Sequence, residues 1–265
     1  MSLEYLQRDG VNLSYAHAVE NFTILIPLHN EAERVSTALN VLMSYLKTVS
    51  CHCNILLVEN GSKDATVEKL KSAVKTFDNV SYVRLPKACL GNALRNGIEY
   101  ASSESMVYLP IDMSIDLDFV PRSLKLLDEN DVVVGSKRKN GANDRRPIVR
   151  RMLSVSYHYI TRLLFGIDVT DTTCVKAFRR SSVLPLISKI RFNNIFETEL
   201  LIRAEMAGKK VAELPVIVHD KRLPKESLLR KVLRKLTGIV ALRLMLFLEG
   251  DVGNDEDLRD HLILS

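Results

Sequence analysis

Three clusters of polar residues could bind a polyhydroxyl or charged ligand. They are a histidine, an asparagine and a glutamate at 29–31, a glutamate and an asparagine at 59–60, and Asp112. Carboxylate and amide oxygens accept hydrogen bonds from hydroxyl groups, and carboxylates also coordinate Mg²⁺. The second cluster, which a glycine and a serine follow, is by itself typical of a turn with a helix N-cap. Together, the three clusters favour one binding site.

A cationic segment could bind an anion. Between Lys137 and Arg151 the sequence holds seven Lys or Arg residues and one Asp. Such a segment would form an anion-binding surface if it folded over the edge of a sheet. A solvated charged loop is the alternative that charge alone leaves open.

The order of apolar runs predicts the elements that position these residues. Predicted strands alternate with predicted helices, which indicates a mostly parallel sheet with helices on both faces. Ligands of such sheets bind at the carboxyl ends of the strands, where the three polar clusters fall. The predicted strands are 22–27, 54–58, 80–85, 106–109, 131–135, 171–178 and 211–218, and the predicted helices are 30–46, 65–77, 91–102, 148–165 and 196–208.

Length and composition limit the class of protein. The chain has 265 residues, of which 46% are apolar and 26% charged, so it fits one large globular domain or a domain with a short appendage. Extended disorder and fibrous repeats are excluded. The net charge of +5 would favour phosphates or anionic lipid head groups, and we expect no nucleic acid partner.

Cysteines and termini indicate a compartment. Cys51 and Cys53 lack the spacer and the second pair of a zinc site, so we expect buried free thiols in a reducing compartment. The first ten residues carry charges where a signal peptide has an apolar core. The apolar runs 236–242 and 244–248 are too short to span a bilayer. We therefore expect a cytoplasmic protein, peripheral at most to the cytoplasmic face of a membrane.

The C-terminal region has a different character. Residues 227–248 predict a basic amphipathic helix with one apolar stripe, and an acidic tail follows. The stripe either packs on the domain or rests on an anionic membrane surface. We predict a catalytic domain over 1–218 and this helical extension over 219–265.

Seven motifs in order resemble those of the family 2 glycosyltransferases of GT-A fold, within the branch of the dolichyl-phosphate mannose and glucose synthases. They cover roughly residues 22–218. The motifs are Ile-Pro-Leu-His-Asn-Glu at 26–31, Val-Glu-Asn-Gly-Ser-Lys-Asp at 58–64, Leu-Gly-Asn-Ala-Leu-Arg-Asn-Gly at 90–97, Val-Gly-Ser at 134–136, the segment 171–178, Phe-Glu-Thr-Glu-Leu-Leu at 196–201 and Glu-Leu-Pro-Val at 213–216.

The resemblance implies that a sugar moves, with inversion, from a nucleotide diphosphate sugar of the GDP-mannose or UDP-glucose type to a polyprenyl (dolichyl) phosphate. It implies Mg²⁺ or Mn²⁺ at Asp112, and Asp112, Arg151 and Ser154 as catalytic residues. The implied nucleotide-sugar ligands are Pro27, His29, Glu31, Glu59, Asn60, Gly61, Ser62, Gly91 and Asp112. The implied acceptor-phosphate ligands are Arg138, Arg145, Arg146, Arg150, Arg151 and Ser154.

The sequence departs from the family pattern at the metal motif, Asp-x-Asp. Pro110 stands where the first carboxylate is expected, so only Asp112 remains. Asn60 replaces the second acid after the second strand, and the segment 171–176 lacks the family's glycine. Two alternatives stay open: a non-catalytic protein that binds nucleotide sugars, and a transferase that uses a soluble glycan or protein acceptor.

Overall fold

The structure is a computed structural model that describes residues 20–219 and 228–263. Strands and helices alternate through its first half. The strands are β1 (Glu20–Leu28), β2 (His52–Asn60), β3 (Val80–Leu85), β4 (Ser105–Tyr108), β5 (Val132–Ser136), β6 (Asn143–Asp144), β7 (Lys176–Arg179), β8 (Val211–Pro215) and β9 (Ile217–Val218). The helices are α1 (Ala32–Thr48), α2 (Thr66–Thr76), α3 (Leu90–Tyr100), α4 (Phe119–Leu126), α5 (Ile148–Phe165), α6 (Arg180–Ile187), α7 (Phe196–Met206) and α8 (Leu228–Ile263), with a 3₁₀ turn at Asn193–Ile195.

Seven strands form one mixed sheet in the order β3-β2-β1-β4-β7-β5-β8, and β6 pairs with β9 in a separate two-stranded sheet. Strand β7 alone runs antiparallel to its neighbours β4 and β5, and the other pairs of the large sheet are parallel. The α/β fold with a mostly parallel sheet is confirmed.

Apolar cores cover both faces of the sheet. Ile24 and Ile26 belong to one buried cluster and Leu25 to another, because successive side chains of a strand point to opposite faces. Helix α1 contributes Leu39 and Leu42 to the first cluster. The helices thus cover both sides of the sheet and leave the ends of its strands for a site.

The predicted boundaries of the third strand and of α5 agree with the structure, and two predicted strands are wrong. The predicted strand 171–178 reduces to β7, Lys176–Arg179, because the Asp171 carboxylate accepts a hydrogen bond from the backbone N–H of Thr173 and holds a loop there. The predicted strand 211–218 divides into β8 and β9, since β8 pairs with β5 whereas β9 pairs with β6.

Pro27 does not end β1, which continues to Leu28. The β4 pairing ends at Leu25, and alternate residues of a strand face the same neighbour. The nitrogen of Pro27 therefore faces the side of β4, but β4 has already ended at this level of the sheet. No strand hydrogen bond is lost, so the proline is tolerated within β1.

Helix α8 packs on the body of the protein. Ile239 and Leu242 are fully buried with Tyr157 of α5, Ile195 of the 3₁₀ turn and Ile202 of α7 in a third core cluster. Of the predicted apolar stripe, Leu236 packs against this cluster, whereas Leu233 and Val240 are exposed. The buried residues Ile239 and Leu242 were not predicted as members of the stripe. Residues 1–19 of the predicted catalytic domain and residues 220–227 and 264–265 of the predicted extension lie outside the described residues. No helix among residues 20–219 and 228–263 is both long and apolar enough to cross a bilayer.

The cysteines are free thiols. Cys53 and Cys174 are buried, and Cys51 and Cys89 are half-buried.

Candidate active site

The three polar clusters of the predicted donor side lie at or just after the carboxyl ends of β1, β2 and β4. These strands are neighbours and parallel, with Leu28 of β1 opposite Glu59 of β2 and Leu25 opposite Tyr108 of β4. The loops that follow them carry the three polar clusters and therefore share one edge of the sheet, as predicted.

Hydrogen bonds lock the loop after β1 to the loop after β2. His29 Nδ1–H donates to the carbonyl oxygen of Asn60 at 2.7 Å, and the Asn30 amide donates to His29 Nε2 at 3.1 Å. The backbone N–H of Asn30 donates to Ser62 Oγ at 2.9 Å, and that of Lys63 donates to Asn30 Oδ1 at 2.8 Å. Asn30 adopts a positive φ of 54° to make these contacts. The two loops form one unit.

The predicted nucleotide ligands Glu31 and Glu59 both have partners within the protein. Glu31 accepts a hydrogen bond from Arg34 Nη1 at 2.6 Å. Glu59 is fully buried and accepts from the backbone N–H of Ser62 at 2.5 Å and from Arg84 Nε at 3.2 Å. Glu31 thus pairs with the start of α1, and Glu59 with its own loop and with β3. The contact of either carboxylate with a base or ribose stays a prediction.

The glycines at 61 and 91 permit close packing. Gly61 has a φ of +65°, and a Cβ there would lie 2.9 Å from the backbone N of Ala88. A Cβ at Gly91 would lie 2.5 Å from the backbone O of Asn193. Asn60 Oδ1 accepts from the backbone N–H of Cys89 at 2.7 Å, which fixes the start of α3. These residues shape the edge where the nucleotide is predicted to bind.

Asp112 lies in the loop after β4. It is half-buried, and its Oδ1 accepts from the backbone N–H of Ser114 at 3.1 Å. The next residue, Met113, has a φ of +45°, a region that non-glycine residues seldom adopt. Asp116 and Asp118 do not join Asp112: Asp116 accepts from the backbone N–H of Asp118, and Asp118 accepts from Tyr45 Oη at 2.8 Å.

Arg34 lies beside the candidate site, and the sequence predicted no role for it. Its hydrogen bond to Glu31 raises its pKa, and the nearby charge of Asp112 raises it further. The guanidinium thus stands near two acidic residues of the site. Its one sequence signal is its position three residues after Glu31, at the start of α1.

The predicted acceptor ligands Arg138 and Ser154 bind one another. Arg138 Nη2 donates to Ser154 Oγ at 2.8 Å and to its carbonyl oxygen at 2.5 Å, and Nη1 donates to the carbonyl oxygen of Thr170 at 2.5 Å. Arg138 Nε is buried and has no hydrogen-bond partner within the described chain. This pair ties β5 to α5, and its predicted contact with a phosphate stays a prediction.

A buried ion pair supports this connection. Asp171 is 1% exposed, and Lys137 Nζ lies 2.5 Å from its Oδ2. Burial alone would raise the pKa of Asp171, but the charges of Lys137 and Arg138 lower it to about 2. Asp171 is therefore a charged anchor at neutral pH. Asp171 opens one of the seven motifs, but its motif predicts no role for it.

The other predicted acceptor arginines differ in their surroundings. Arg146 is half-buried and binds Asp144 through Nε and Nη2, both at 2.7 Å. Arg145 and Arg151 are exposed and form no ion pair within residues 20–219 and 228–263. Arg150 lies beside Arg151 in the first turn of α5, which has no acidic residue.

Lys176 is a buried lysine for which the sequence predicted no role. Lys176 is 2% exposed, and its Nζ donates to the carbonyl oxygens of Thr172 at 3.0 Å and Cys174 at 2.8 Å. The Glu197 carboxylate lies 3.4 Å away. The backbone oxygens that solvate this charge follow directly on Asp171, so Lys176 orders the same loop.

The described part of the chain holds no group of three or more His, Cys, Asp or Glu side chains that could hold a metal ion. Asp112 thus offers one carboxylate. A Mg²⁺ ion keeps several waters and shares phosphate oxygens with its substrate, so one carboxylate fits a metal that arrives with a diphosphate.

Comparisons with known proteins find similar sequences over most of the chain. The sequence model of glycosyl transferase family 2 matches residues 23–185. Glycosyltransferase AglD of Haloferax volcanii is 27% identical over 218 residues, which cover 80% of this chain and 35% of that protein. Dolichyl-phosphate beta-glucosyltransferase ALG5A of Trichomonas vaginalis is 27% identical over 208 residues, which cover 73% of this chain and 64% of that protein. This chain spans less than two thirds of either relative.

Solved structures share the fold. Glucosyl-3-phosphoglycerate synthase from Mycobacterium tuberculosis, in complex with Mn²⁺, UDP-glucose and phosphoglyceric acid, has a TM-score of 0.64 at 16% identity, covering 89% of this chain and 85% of that one. Mannosyltransferase PcManGT from Pyrobaculum calidifontis, in complex with GDP-Man and Mn²⁺, has a TM-score of 0.58 at 17% identity, covering 85% of this chain and 64% of that one. The GT-A-like fold is therefore confirmed.

Proposed function

The chain belongs to glycosyl transferase family 2, and on that premise we propose that it transfers a sugar, with inversion, from a nucleotide diphosphate sugar to a polyprenyl phosphate. The donor is of the UDP-glucose or GDP-mannose type. The relatives named dolichyl-phosphate beta-glucosyltransferases favour glucose as the first sugar to test.

One observation carries the proposal: the Asp112 loop and the cationic loop border the same short segment. The backbone N–H of His219 donates to the carbonyl oxygen of Ser114 at 2.8 Å, and that of Arg145 donates to the carbonyl oxygen of Val218 at 3.0 Å. An acid suited to the donor side and exposed cations suited to an anionic acceptor therefore lie on either side of β9 and the residue after it.

The acceptor side provides cations and needs no strong base. A phosphate oxygen is already anionic near neutral pH, so no proton has to be removed before it attacks the anomeric carbon. Arg145 and Arg151 are exposed, and the start of α5 adds the partial positive charge of a helix N-terminus without an acidic residue to offset it. Together they would hold a phosphate by charge-assisted hydrogen bonds.

On the donor side, Asp112 would hold Mg²⁺ or Mn²⁺. A bound ion would neutralise negative charge on the leaving diphosphate. Arg34 adds a second, fixed positive charge near Asp112. The locked loops after β1 and β2 would orient the nucleotide, with His29 held in one tautomer by Asn60 and Asn30.

Turnover measurements test the proposal. The chain is incubated with UDP-glucose, GDP-mannose and related donors, a short water-soluble polyprenyl phosphate, and Mg²⁺, Mn²⁺ or EDTA. We expect product with one donor, only when the lipid phosphate is present. Transfer to a soluble glycan or protein, without need of a lipid phosphate, would support the alternative acceptor and contradict the proposal.

A second candidate is a protein that binds nucleotide sugars without catalysis. It is favoured by Pro110, which removes one acid from the metal motif, and by the single carboxylate that remains. Calorimetric titration separates the two. The binding protein would show nucleotide affinity that does not depend on Mg²⁺ or Mn²⁺ and no turnover, whereas the transferase would bind the diphosphate more tightly with the metal.

A further inference from the structure

Exposed apolar side chains concentrate on two helices. Among the described residues, eleven of the sixteen large hydrophobic side chains that are exposed lie on α5 and α8. On α5 they are Ile148, Val149, Met152, Val155, Tyr159 and Leu163, and on α8 they are Leu233, Val240, Leu244, Phe247 and Leu248. Single exposed hydrophobics are ordinary, but a concentration of this kind marks an interaction surface.

The exposed residues of α5 form one row. Met152, Val155, Tyr159 and Leu163 follow each other at spacings of three or four, which places them on one side of the helix. Leu163 is 84% exposed. The opposite side, with Tyr157 and Thr161, is buried against the body of the protein. Helix α5 therefore has a buried inner face and an exposed apolar row, and that row has no partner within the described chain.

Helix α8 repeats the arrangement. Its inner residues Ile239 and Leu242 are fully buried, whereas Leu233, Val240 and Leu244 recur at helical spacing on the other side. Folding on the domain thus uses one row of apolar residues and leaves the second row exposed.

The two helices pack side by side on the same support, because residues of α5, α7 and α8 share one buried cluster. Tyr157 of α5 hydrogen-bonds Thr198 of α7 at 2.9 Å, and Lys235 Nζ of α8 lies 5.3 Å from the centre of the Tyr157 ring. Asn194 of the 3₁₀ turn donates to the carbonyl oxygen of Arg234 at 2.7 Å. We call the outer rows of α5 and of α8 up to Leu248 the outer helical face.

Charge identifies what covers this face. Helix α5 and residues 228–248 together carry eight Arg or Lys residues and no Asp or Glu, a net charge of +8. The whole chain has a net charge of +5, so the remaining residues have a net charge of −3. Arg151 and Arg162 are exposed and lie eleven residues, or three helical turns, apart, beside the α5 row. An apolar row flanked by cations fits a bilayer with anionic head groups.

We propose that the outer helical face docks on an anionic lipid bilayer through both helices, with α5 contributing as much as α8. The proposal rests on the proposed function, because Arg151, the predicted acceptor ligand, stands at the start of the α5 row. A polyprenyl phosphate would then reach the site from the bilayer beside that row. A symmetric homodimer through the outer helical face is less favourable than bilayer docking. Its interface would bring the cationic helices of two copies together with no acidic residue between them.

Liposome co-sedimentation of the full chain tests the proposal, with vesicles of phosphatidylcholine alone or mixed with phosphatidylserine, at low and high salt. The α5 variant combines Met152→Gln, Tyr159→Gln and Leu163→Gln. The α8 variant combines Leu233→Gln, Val240→Gln and Leu244→Gln. The matched control combines Val41→Gln, Val74→Gln and Tyr100→Gln, which are exposed hydrophobics of α1, α2 and α3. All six outer-face side chains are exposed, so circular dichroism should show an unchanged fold.

We expect the wild type and the control to bind anionic vesicles, more strongly at low salt. Each outer-face variant should lose at least about tenfold in partitioning, because apolar contact and charge must act together. Equal binding by the wild type and the α5 variant would overturn the proposal, as would a wild type that binds no vesicles. A wild-type dimer that becomes monomeric in both variants, without vesicle binding, would show a self-association surface instead.

Two acceptors separate this proposal from the proposed function. If the outer helical face docks on the bilayer but the proposed function is wrong, the variants lose vesicle binding, and neither the wild type nor any variant turns over an acceptor. If the proposed function is right but the outer helical face does not dock on the bilayer, the chain turns over a short soluble polyprenyl phosphate and does not bind vesicles. If both are right, the α5 variant keeps turnover on the soluble acceptor and loses it on the vesicle-embedded one.

Discussion

At the scale of residues, Asp112 is the carboxylate on which the donor side depends. We expect Asp112→Asn to lower turnover on the order of 10²-fold or more, because an electrostatic contact to the leaving group is lost. The exposed Asp128→Asn is the matched control. Near-normal turnover of the Asp112 variant would refute the assignment. In a companion variant, Pro110→Asp should raise the affinity for Mn²⁺, and an unchanged affinity would show that Pro110 does not occupy the first metal position.

Arg151 and Arg138 were both predicted to hold the acceptor phosphate, and their surroundings now separate them. Arg151 is exposed, so Arg151→Ala should raise the KM for the polyprenyl phosphate far more than the KM for the nucleotide sugar, with little change in stability. Arg162→Ala, on the same helix, is the control with a soluble acceptor. If both KM values rose equally, Arg151 would act on the diphosphate or on the structure.

The residues that a sequence reveals are those whose types stand out in a motif. Asp112 and the cations of 137–151 stood out in this way. Arg34 and Lys176 did not, because a single arginine in a helix or a single lysine in a strand is normally solvated. Only the fold brings Arg34 near Asp112, and only the loop after Asp171 supplies backbone oxygens to Lys176.

At the scale of elements, the buried pair Lys137–Asp171 connects β5 to the loop that precedes β7. The folded-state pKa of Asp171 is about 2, below its ordinary value of 3.8. A lowered pKa stabilises the fold above the unfolded-state value, and that contribution is lost as pH falls from about 4 towards 2. The shift corresponds to about 2 to 3 kcal/mol.

We therefore expect Asp171→Asn to lower the free energy of unfolding at pH 7 by about 3 to 5 kcal/mol, because Lys137 is left buried and unpaired. The gap between the wild type and the variant should narrow at pH 3. Urea unfolding at both pH values measures this gap, with Asp128→Asn as the control. A gap that is the same at both pH values would mean that Asp171 does not titrate as described.

Elements with strong local patterns were predicted well, and those defined by partners were not. The amphipathic spacing of α5 and the apolar run of β3 predict their bounds correctly, since each pattern is contained within the element. The strand predicted over 211–218 divides because residues 211–215 find β5 as a partner and residues 217–218 find β6. No local pattern contains the identity of a distant strand.

At the scale of the whole molecule, the site lies at the strand ends while the cationic, apolar surface lies on two helices. The basic character of the chain is a property of α5 and of residues 228–248, since the rest carries net negative charge. Composition alone reports only the total of +5. The sequence predicted the amphipathic helix near the C-terminus, but not that its inner row packs with α5 and α7, because that contact requires the positions of all three helices.

The inner row of α8 gives a prediction for the entire fold. A chain that ends at His219 loses Ile239 and Leu242, which are fully buried, and uncovers Tyr157 and Ile202. Burying each aliphatic side chain stabilises by about 1.5 to 3 kcal/mol, so we expect the Tm to fall on the order of 10 °C, or the chain to aggregate. A chain ending at Leu248 keeps the α8 members of this core and should melt close to the full chain. Thermal unfolding followed by circular dichroism compares the three. Equal Tm values for the full chain and the chain ending at His219 would mean that α8 does not pack on the domain, and that both of its apolar rows are open to a partner.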